Sequence, residues 1–484
     1  MSEHFDVKKM LFLAGVLYSA NNAGAQTQKG SDIDGEAAYN RSGYSVSMPD
    51  AATLGIGAFG NSGNGQLSGH VRVYNWNGAG WVQKGADMDG EAKADRLGFS
   101  VSMPDANTLA TGAYLNDGAG SNAGHVRVYF WDGLAWIRKG GDIDGEAADD
   151  FSGSAVCMAD PNTVAIGAPG NDGNRNNSGQ VRVYNWNGIN WVQKGADLDG
   201  ENAEDGFGVS VSMPDANTLA VGADGNDANG ADAGHVRVFS WNGNNWVQKG
   251  ADIDGATAGN RAGSSLSMPD SNTMAIGLLS DLDQAKVRIY RWDGNAWVVK
   301  GNDIGTSGYT GGLSLSMPDA NNLVIGAWAS QGGFGLIFRW DGSAWVQKNT
   351  FHLKGESEAD GFGQSVSMPD PQTVAIGADG NDGNGTDAGH VRVFTFETAG
   401  VIENEIGPAL KVFPNPTHGE TTIDLGASRK SVSVIVRNAT GQVVLRQQYA
   451  DAGMVQLNIP GEAGIYLVEV NADNKQALLK VVKK

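Results

Sequence analysis

Acidic and amide side chains crowd two glycine-rich segments of similar sequence, "GNDGNGTD" at 380–387 and "GNDANGAD" at 225–232. Calcium takes six to eight oxygen ligands, and glycine permits the tight winding that brings such ligands to one ion. Neither segment matches the EF-hand pattern, and Asx turns that close a loop account for the same residue types. Calcium is therefore the one candidate cofactor. The alternative interpretation is that these residues have only a structural role. The predicted calcium ligands are Asp382, Asn384, Asp387, Asp227, Asn229 and Asp232.

Histidine and paired aspartates recur at fixed places in a repeated sequence. Four of the seven histidines hold one position: His70, His125, His235 and His390. Equivalent positions in separate repeats lie at separate places, so the four rings are not expected to share one ion. Packing at the start of a strand is the favoured interpretation. D-x-D-G segments, interpreted as turn caps with metal ligation as the alternative, begin at Asp32, Asp87, Asp142, Asp197 and Asp252.

No residue stands out as a catalytic group. A glycosidase needs two carboxylates a defined distance apart, but the acids of this chain repeat with the sequence and no pair is singled out. Cys157, the only cysteine, stands where sister repeats carry serine and has no histidine or acid partner in sequence. It is interpreted as a packing variant rather than a nucleophile. The sequence predicts a protein that is not an enzyme.

The fifth and sixth repeats break the pattern, with "GLLSDLDQAKV" and "AWASQGGFGL" in place of the acidic loops. Trp328 is the one tryptophan of thirteen that lies outside six regular pairs. A specific binding pocket is therefore predicted beside Trp328 and Phe334. Drift of a structural repeat is the alternative explanation.

The elements that must position these residues are short strands. "SMPD" or a close relative occurs seven times, and each repeat offers four strands joined by tight turns, including Asn-Gly or Asp-Gly. Small residues come first in each repeat and paired tryptophans last, as a wedge-shaped propeller blade requires. The predicted blades lie near 43–85, 98–140, 153–195, 208–250, 263–301, 312–348 and 363–396.

The seventh repeat lacks an outer strand, whereas "QTQKG" at 26–30 matches the outer strand of its sisters. The fold class predicted is all-β: a seven-bladed β-propeller closed by an N-terminal strand, followed by a small C-terminal β-sandwich. The predicted parts are a signal peptide at 1–25, the propeller at 26–397, a linker at 398–409 and a C-terminal domain at 410–484.

Three stretches carry a family resemblance: "GFGVSVSM" at 206–213, "GFGQSVSM" at 361–368 and "AIGAPGNDG" at 165–173. The repeats resemble FG-GAP, or integrin-α-like, propeller repeats. The resemblance implies a seven-bladed propeller that binds a ligand. In that family the calcium loop joins the first two strands, where this chain has only the short turn "PDAN", so the family's metal site is not carried over to any residue here.

The C-terminal segments "LKVFPNPTHGETTIDLG", "VIVRNATGQVVL" and "GIYLVEVNADNKQALLKVVKK" resemble the sorting domain of type IX secretion substrates. The resemblance implies export across the outer membrane, with the type IX secretion machinery as a partner. An apolar run after Lys8 and Lys9, followed by "AGA" at 23–25, predicts the signal peptide. No transmembrane segment is expected, since no later run reaches the length of a bilayer span.

A net charge of -20 excludes nucleic acid as an expected partner. The strand directions place the long acidic loops on one face of the propeller. The predicted function is a secreted or surface-held adhesion or ligand-binding module that uses this face, with a surface protein or glycan as ligand. Two alternatives stay open: a glycan-active hydrolase or lectin, and a structural component of the cell surface.

Overall fold

The structure of the chain is a computed structural model that describes residues 26–279, 285–306, 312–328, 332–348, 353–396, 406–407, 409–438, 442–473 and 475–484. The chain divides into two compact units, Met1–Phe396 and Glu397–Lys484. The predicted signal peptide lies outside the described residues, as does most of the predicted linker. In the part of the chain that is described, every regular element is a β-strand, which confirms the all-β fold class.

The N-terminal unit consists of seven antiparallel sheets of five strands each, numbered here 1 to 7 along the chain. Sheet 1 holds β3 (Ser45–Asp50), β4 (Thr53–Ala58), β5 (His70–Trp76), β6 (Trp81–Gln83) and β7 (Met88–Asp89). Sheet 2 holds β8 (Ser100–Asp105), β9 (Thr108–Ala113), β10 (His125–Trp131), β11 (Trp136–Arg138) and β12 (Ile143–Asp144). Sheet 3 holds β13 (Ala155–Asp160), β14 (Thr163–Ala168), β15 (Gln180–Trp186), β16 (Trp191–Gln193) and β17 (Leu198–Asp199).

Sheet 4 holds β18 (Ser210–Asp215), β19 (Thr218–Ala223), β20 (His235–Trp241), β21 (Trp246–Gln248) and β22 (Ile253–Asp254). Sheet 5 holds β23 (Leu266–Asp270), β24 (Thr273–Leu278), β25 (Lys286–Trp292), β26 (Trp297–Val299) and β27 (Ile304–Gly305). Sheet 6 holds β28 (Leu313–Asp319), β29 (Asn322–Ala327), β30 (Phe334–Trp340), β31 (Trp345–Gln347) and β32 (Leu353–Lys354). Sheet 7 holds β33 (Phe362–Asp370), β34 (Thr373–Ala378), β35 (His390–Phe396), β1 (Gln26–Gln28) and β2 (Ile33–Asp34).

The outer edge of each sheet is built from two short strands rather than one. In sheet 1, β6 pairs with the end of β5, and β7 pairs with its beginning. Between β6 and β7 the series of residue pairs with β5 is interrupted, so the two short strands are separate segments of one outer edge. This fifth strand is absent from the sequence prediction, because a strand of two residues is too short to show an alternating pattern.

The sheets contact one another through their first strands. In the described part of the chain, the inner edge of a first strand pairs with no other strand, and a side chain of the preceding sheet accepts from one of its amides. The amide of Met103 donates to Ser47 Oγ of the preceding sheet at 2.9 Å. The amide of Met48 donates in the same way to Ser367 of sheet 7, also at 2.9 Å. Sheet 7 therefore contacts sheet 1 as each sheet contacts the next, and this is the contact that the predicted ring requires.

Residues 26–29, which follow the predicted signal peptide, complete sheet 7. Strand β1 pairs antiparallel with β35 from Gln26 opposite Phe396 to Gln28 opposite Phe394. The amide of Lys29 continues the ladder with a 2.7 Å hydrogen bond to the carbonyl of Val393. The N-terminal strand thus occupies the place that the sequence predicts for it.

Tryptophan and lysine side chains hold neighbouring sheets together at the rim. The indole of Trp81 in sheet 1 donates to the carbonyl of Lys29 at 2.8 Å. The ammonium of Lys29 lies 5.2 Å from the ring of Trp76 and 2.5 Å from the carbonyl of Ala51. The same tryptophan-to-lysine hydrogen bond recurs at five further sheets, donated by Trp136, Trp191, Trp246, Trp297 and Trp345.

The C-terminal unit is one five-stranded sheet of β36 (Lys411–Phe413), β37 (Glu420–Arg437), β38 (Val443–Asn458), β39 (Gly464–Ala472) and β40 (Lys475–Lys483). The β37–β38 ladder shifts register between Asp424 and Arg429, and both halves of β37 bury side chains in one cluster. Hydrogen bonds between Thr417 and both Val482 and Lys484 join the segment after β36 to β40. The sequence predicts a small β-sandwich here, whereas the described strands belong to one hydrogen-bonded sheet with a single core. Ile406, inside the predicted linker, is buried in the same core.

In the described residues, no helix has the length and apolar character needed to cross a membrane.

The pairing of β1 with β35 should carry measurable stability. Hydrogen-bonded pairs alternate along an antiparallel ladder, so Thr27, two residues before Lys29, lies in the bonded set. Thr27→Pro removes a donor and should lower the free energy of unfolding by about 1–2 kcal/mol in a denaturant titration. Gln26→Pro, at a position outside the bonded set, is the matched control and should have a smaller effect. Equal effects of the two variants would contradict this pairing.

Candidate functional site

The residue that follows each second strand lies beside the innermost strands, at the edge from which the long loops depart. We call these seven positions the axial ring: Phe59, Tyr114, Pro169, Asp224, Leu279, Trp328 and Asp379. The second strands that carry them are rigid, because they are buried along most or all of their length in every sheet. Seven equivalent backbone positions thus present different side chains at one end of the ring.

Aromatic residues gather at one side of the axial ring. The rings of Phe99 and Tyr114 lie 4.1 Å apart, and those of Tyr44 and Phe59 lie 4.6 Å apart. Tyr44 contacts Phe99 at 4.9 Å, which joins the two pairs, and Phe151 extends the series at 6.2 Å from Tyr114. All five rings are half-buried. We call this series the aromatic arc; it comes from the first three sheets.

An arginine side chain lies against the aromatic arc. The guanidinium of Arg96 is 5.4 Å from the ring of Phe59 and 5.9 Å from that of Tyr114, and it donates to the Tyr114 hydroxyl at 3.2 Å. Cations over aromatic faces are held by the ring quadrupole. Burial raises the pKa of Tyr44 to about 12. Its hydroxyl is therefore neutral at physiological pH.

The aromatic arc is not among the sites predicted from the sequence. Tyr44 and Phe99 hold one repeat position, where sheets 3 and 4 have Ser154 and Val209. A comparison of the repeats at their variable positions, rather than at their shared ones, would have shown a run of aromatic residues in the first three repeats.

The two residues predicted beside a binding pocket have different environments. Trp328 belongs to the axial ring, and 42% of its side chain is exposed. It packs over Gly312, where a Cβ atom would lie 2.3 Å from the indole nitrogen. Phe334 begins β30, is only 2% exposed and has the ammonium of Lys354 at 5.2 Å from its ring. Of the pair, only Trp328 is open to solvent.

The predicted calcium ligands at 380–387 serve to close their own loop. Asp382 accepts from the amide of Asp387 at 2.8 Å. Asn384 donates to the carbonyl of Gly35 at 2.8 Å, and Asp387 accepts from Arg41 at 3.1 Å. Such contacts are those of Asx turns and loop closure.

The segment 225–232 repeats this arrangement. Asp227 accepts from the amide of Asp232 at 2.9 Å, and Asn229 donates to the carbonyl of Gly255 at 2.9 Å. Asp232 lies 4.0 Å from the guanidinium of Arg261. In each loop the first of the three predicted ligands accepts from the amide of the last. Calcium binding by the six residues stays a prediction.

Two carboxyl groups of the axial ring are held in a desolvated environment. Burial raises the pKa of Asp224 above its ordinary value, and Arg261 opposes that rise. Burial likewise raises the pKa of Asp379, which pairs with Arg41 at 3.4 Å. The axial ring therefore offers aromatic and acidic groups, with Arg41 and Arg261 beside its two aspartates. Groups of these kinds are the components of a ligand-binding surface.

The sole cysteine has a structural contact. Cys157 Sγ accepts from the amide of Met213 at 3.3 Å, where the sister residues accept through a serine oxygen. Burial raises the pKa of the Cys157 thiol, which disfavours the reactive thiolate.

Comparison with known families decides the role of the C-terminal unit. Residues 411–484 match the family described as "Secretion system C-terminal sorting domain". This segment is a type IX secretion sorting domain. Residues 345–394 match the family described as "FG-GAP repeat". The sorting domain marks the chain for export to the cell surface or the extracellular space. The protein is thus a secreted β-propeller protein, and the sorting domain implies interaction with the secretion machinery.

No curated protein matched the sequence. Among solved structures, AofleA from Arthrobotrys oligospora is 14% identical, with 68% of this chain and 90% of that chain covered and a TM-score of 0.42. Hsv2 from Kluyvelomyces marxianus is 12% identical over 72% and 89%, with a TM-score of 0.42. A protein from Lactobacillus plantarum is 11% identical over 84% and 99%, with a TM-score of 0.46. At these values the likenesses carry no argument about function.

The environment of Asp224 predicts a pH-dependent stability effect. A carboxyl group whose pKa is raised on folding destabilises the folded state at pH values above that pKa, and has no effect below the unfolded pKa. Asp224→Asn should therefore raise the Tm by about 1–2 °C at pH 7, and the gain should vanish near pH 3. Asp379→Asn is the matched variant; its gain should be smaller, because it also loses the Arg41 ion pair. A destabilised Asp224→Asn at pH 7 would contradict this account.

Proposed function

We propose that the exported N-terminal unit is a binding module that holds an extracellular ligand on the aromatic arc and the neighbouring axial ring. The observation that carries the proposal is the arc itself. It consists of five half-buried rings from three consecutive sheets, with Arg96 against two of them. Structural packing alone would be expected to repeat in all seven sheets, whereas this cluster occupies only one side of the ring.

The composition of the arc suggests the chemistry of the ligand. Aromatic faces bury apolar surface at little entropic cost, and guanidinium groups recognise hydroxyl or carboxylate oxygens. A ligand with flat apolar faces bordered by oxygen atoms fits this combination. Pyranose rings of glycans have that character, so a surface glycan is the first ligand class to test. Binding of this kind would serve adhesion when the protein is held at the cell surface.

A second candidate is a glycan-active hydrolase. The observation that favours it is the raised pKa of Asp224 and of Asp379, because a carboxyl group with a raised pKa can act as a general acid. The binding role is preferred, since it uses the whole arc and requires no paired carboxylates. The two candidates differ in one observable: a hydrolase releases product, and a binding module does not.

Glycan-array binding followed by titration of the full chain tests the proposal. Phe99→Ala and Tyr114→Ala each remove a ring from the centre of the arc and should weaken binding of the best glycan by about 10-fold or more. Phe130→Ala removes an aromatic residue that is 39% exposed elsewhere on sheet 2, and it should leave affinity unchanged. The chain has thirteen tryptophans, so a ligand-induced change in tryptophan fluorescence that Trp328→Phe abolishes offers a second readout at the axial ring.

Three outcomes separate the candidates. Binding that is lost in the arc variants, without product release, supports the binding module. Product release that Asp224→Asn or Asp379→Asn abolishes would favour the hydrolase. Binding that survives in both arc variants would overturn the assignment of the site to the arc.

A further inference from the structure

We propose that three junctions between neighbouring sheets are binding sites for a divalent transition metal of the Zn²⁺ or Mn²⁺ class. Each site combines a glutamate from the connector of the preceding sheet with a histidine and an aspartate of the sheet that follows. The three triads are Glu36, His70 and Asp87; Glu201, His235 and Asp252; and Glu356, His390 and Asp32. The proposal gives these histidines and D-x-D-G aspartates a role beyond strand-start packing and turn capping.

The spacing within the first triad suits a shared ion. His70 Nδ1 lies 3.6 Å from Asp87 Oδ2 and 3.9 Å from Glu36 Oε2. These separations are too long for hydrogen bonds. Two ligands of one tetrahedral ion, each at about 2.1 Å, lie about 3.4 Å apart. One ligand atom from each of the three residues lies within 4.8 Å of the others, and Asp89 Oδ1 offers a further oxygen 4.0 Å from the imidazole.

The histidine is buried without a partner. His70 is 1% exposed, and neither ring nitrogen has a hydrogen-bond partner among the described residues. His235 has the same environment, with 1% exposure and no partner in that part of the chain for either nitrogen. An unpaired buried polar group costs free energy, and natural structures rarely keep one. A cation between Nδ1 and the facing carboxylates would satisfy this nitrogen.

Neighbouring side chains orient the carboxylates but leave one oxygen of each free for the site. Gln83 donates to Asp87 Oδ1 at 2.7 Å, and Arg72 lies 3.6 Å from Glu36 Oε1. The other oxygens are those that face His70. The same two supports recur in the other triads: Gln248 with Asp252, Arg237 with Glu201, Gln28 with Asp32 and Arg392 with Glu356.

Sheet 2 has the same triad, but arginine side chains contact its aspartate, Asp142. Arg138 stands in place of the supporting glutamine, and Arg127 binds both oxygens of Asp142 at 3.0 Å. Arg138 also contacts Asp142. A carboxylate held by two guanidinium groups is a poor metal ligand, so the triad around His125 is not included in the proposal. This sheet supplies an internal control.

Sheet 3 shows what replaces the histidine where a metal is not used. Gln180 stands at the histidine position and donates to Glu146 Oε2 and Asp199 Oδ1, both at 3.3 Å. The amide therefore bridges acids that the histidine leaves unbridged. In sheets 5 and 6 the position holds Lys286 and Phe334, which are not metal ligands. Three sites per chain are thus expected.

The ligand set indicates the class of metal. Imidazole nitrogen suits Zn²⁺ and related ions, whereas calcium and magnesium prefer oxygen alone. Carboxylate oxygens are compatible with Zn²⁺ and Mn²⁺. The glutamate side chains are about half exposed, with Glu36 at 45%, so an ion can enter from solvent and retain bound water.

Metal titration of the full chain, first stripped with a chelator, tests the proposal. Calorimetry with Zn²⁺ and with Mn²⁺ should give three sites per chain, and the preferred ion should raise the Tm. His70→Gln, His235→Gln and His390→Gln imitate the natural Gln180. Each single variant should reduce the number of sites by one, and the triple variant should abolish them. His125→Gln, the matched control, should leave three sites.

A second variant set protects the test against misfolding. Glu36→Gln, Glu201→Gln and Glu356→Gln alter half-exposed side chains, and their combination should weaken metal binding by 10-fold or more while the Tm of the metal-free protein stays within about 2 °C. Failure of the wild-type chain to bind either ion would overturn the proposal. So would binding that persists in both triple variants. Stabilisation by Ca²⁺ that Asp382→Asn removes and the glutamine variants do not would assign the metal to the acidic loops instead.

Discussion

The architecture of the N-terminal unit depends on one hydrogen bond that occurs at all seven junctions between sheets. At each junction the amide of a methionine in one first strand donates to a side chain of the preceding first strand. The acceptors are Ser367, Ser47, Ser102, Cys157, Ser212, Ser267 and Ser316. A second strand could not fit at this crowded inner edge, so a short side chain completes the backbone bonding. Because the bond is nearly the same length each time, neighbouring sheets meet in the same way throughout the ring.

Because the junctions are uniform, the residues that hold the scaffold together are different from those that form the proposed recognition surface. Serine, methionine, lysine and tryptophan contacts repeat from sheet to sheet, so they fix position without distinguishing one sheet from another. The residues of the axial ring make few of these contacts and differ at nearly every sheet. Aromatic residues there can be gained or lost without disturbing the junctions. A rigid frame with variable side chains at equivalent places is a common basis for binding sites on repeat proteins.

The sequence was sufficient to predict the repeated sheets, because their signals are local. Asn-Gly turns and alternating strands act within about ten residues, and the size order from glycine to tryptophan lies within a single repeat. The return of 26–30 to the last sheet was also predictable, since the missing outer strand left only one place for it. The two-residue outer strands were missed, because the long pairing strand, not their own sequence, determines them.

Functional sites were harder to predict, because each combines residues from different repeats. Tyr44 and Phe151 are distant in sequence, and only the curvature of the ring brings their aromatic series together. Glu36 and His70 come from the connector of one repeat and the third strand of the next, so no single motif contains both. Comparison of repeats by their shared residues favoured the glycine-rich loops 225–232 and 380–387, whose acidic side chains are engaged in hydrogen bonds within the loops or in ion pairs with arginine.

The pairing of Thr27 with Thr395 joins residues 368 positions apart, whereas the first three strands of each sheet join neighbours along the chain. Contacts between residues that are distant in sequence have the largest entropy cost of loop closure, and they form late in folding. Six sheets can therefore assemble as the chain lengthens. The seventh is complete only when β1, from the start of the chain, pairs with β35 near the end of the unit. Residues 26–28 are thus synthesised long before β35, the strand with which they pair, and until they pair the edge of β35 stays uncovered.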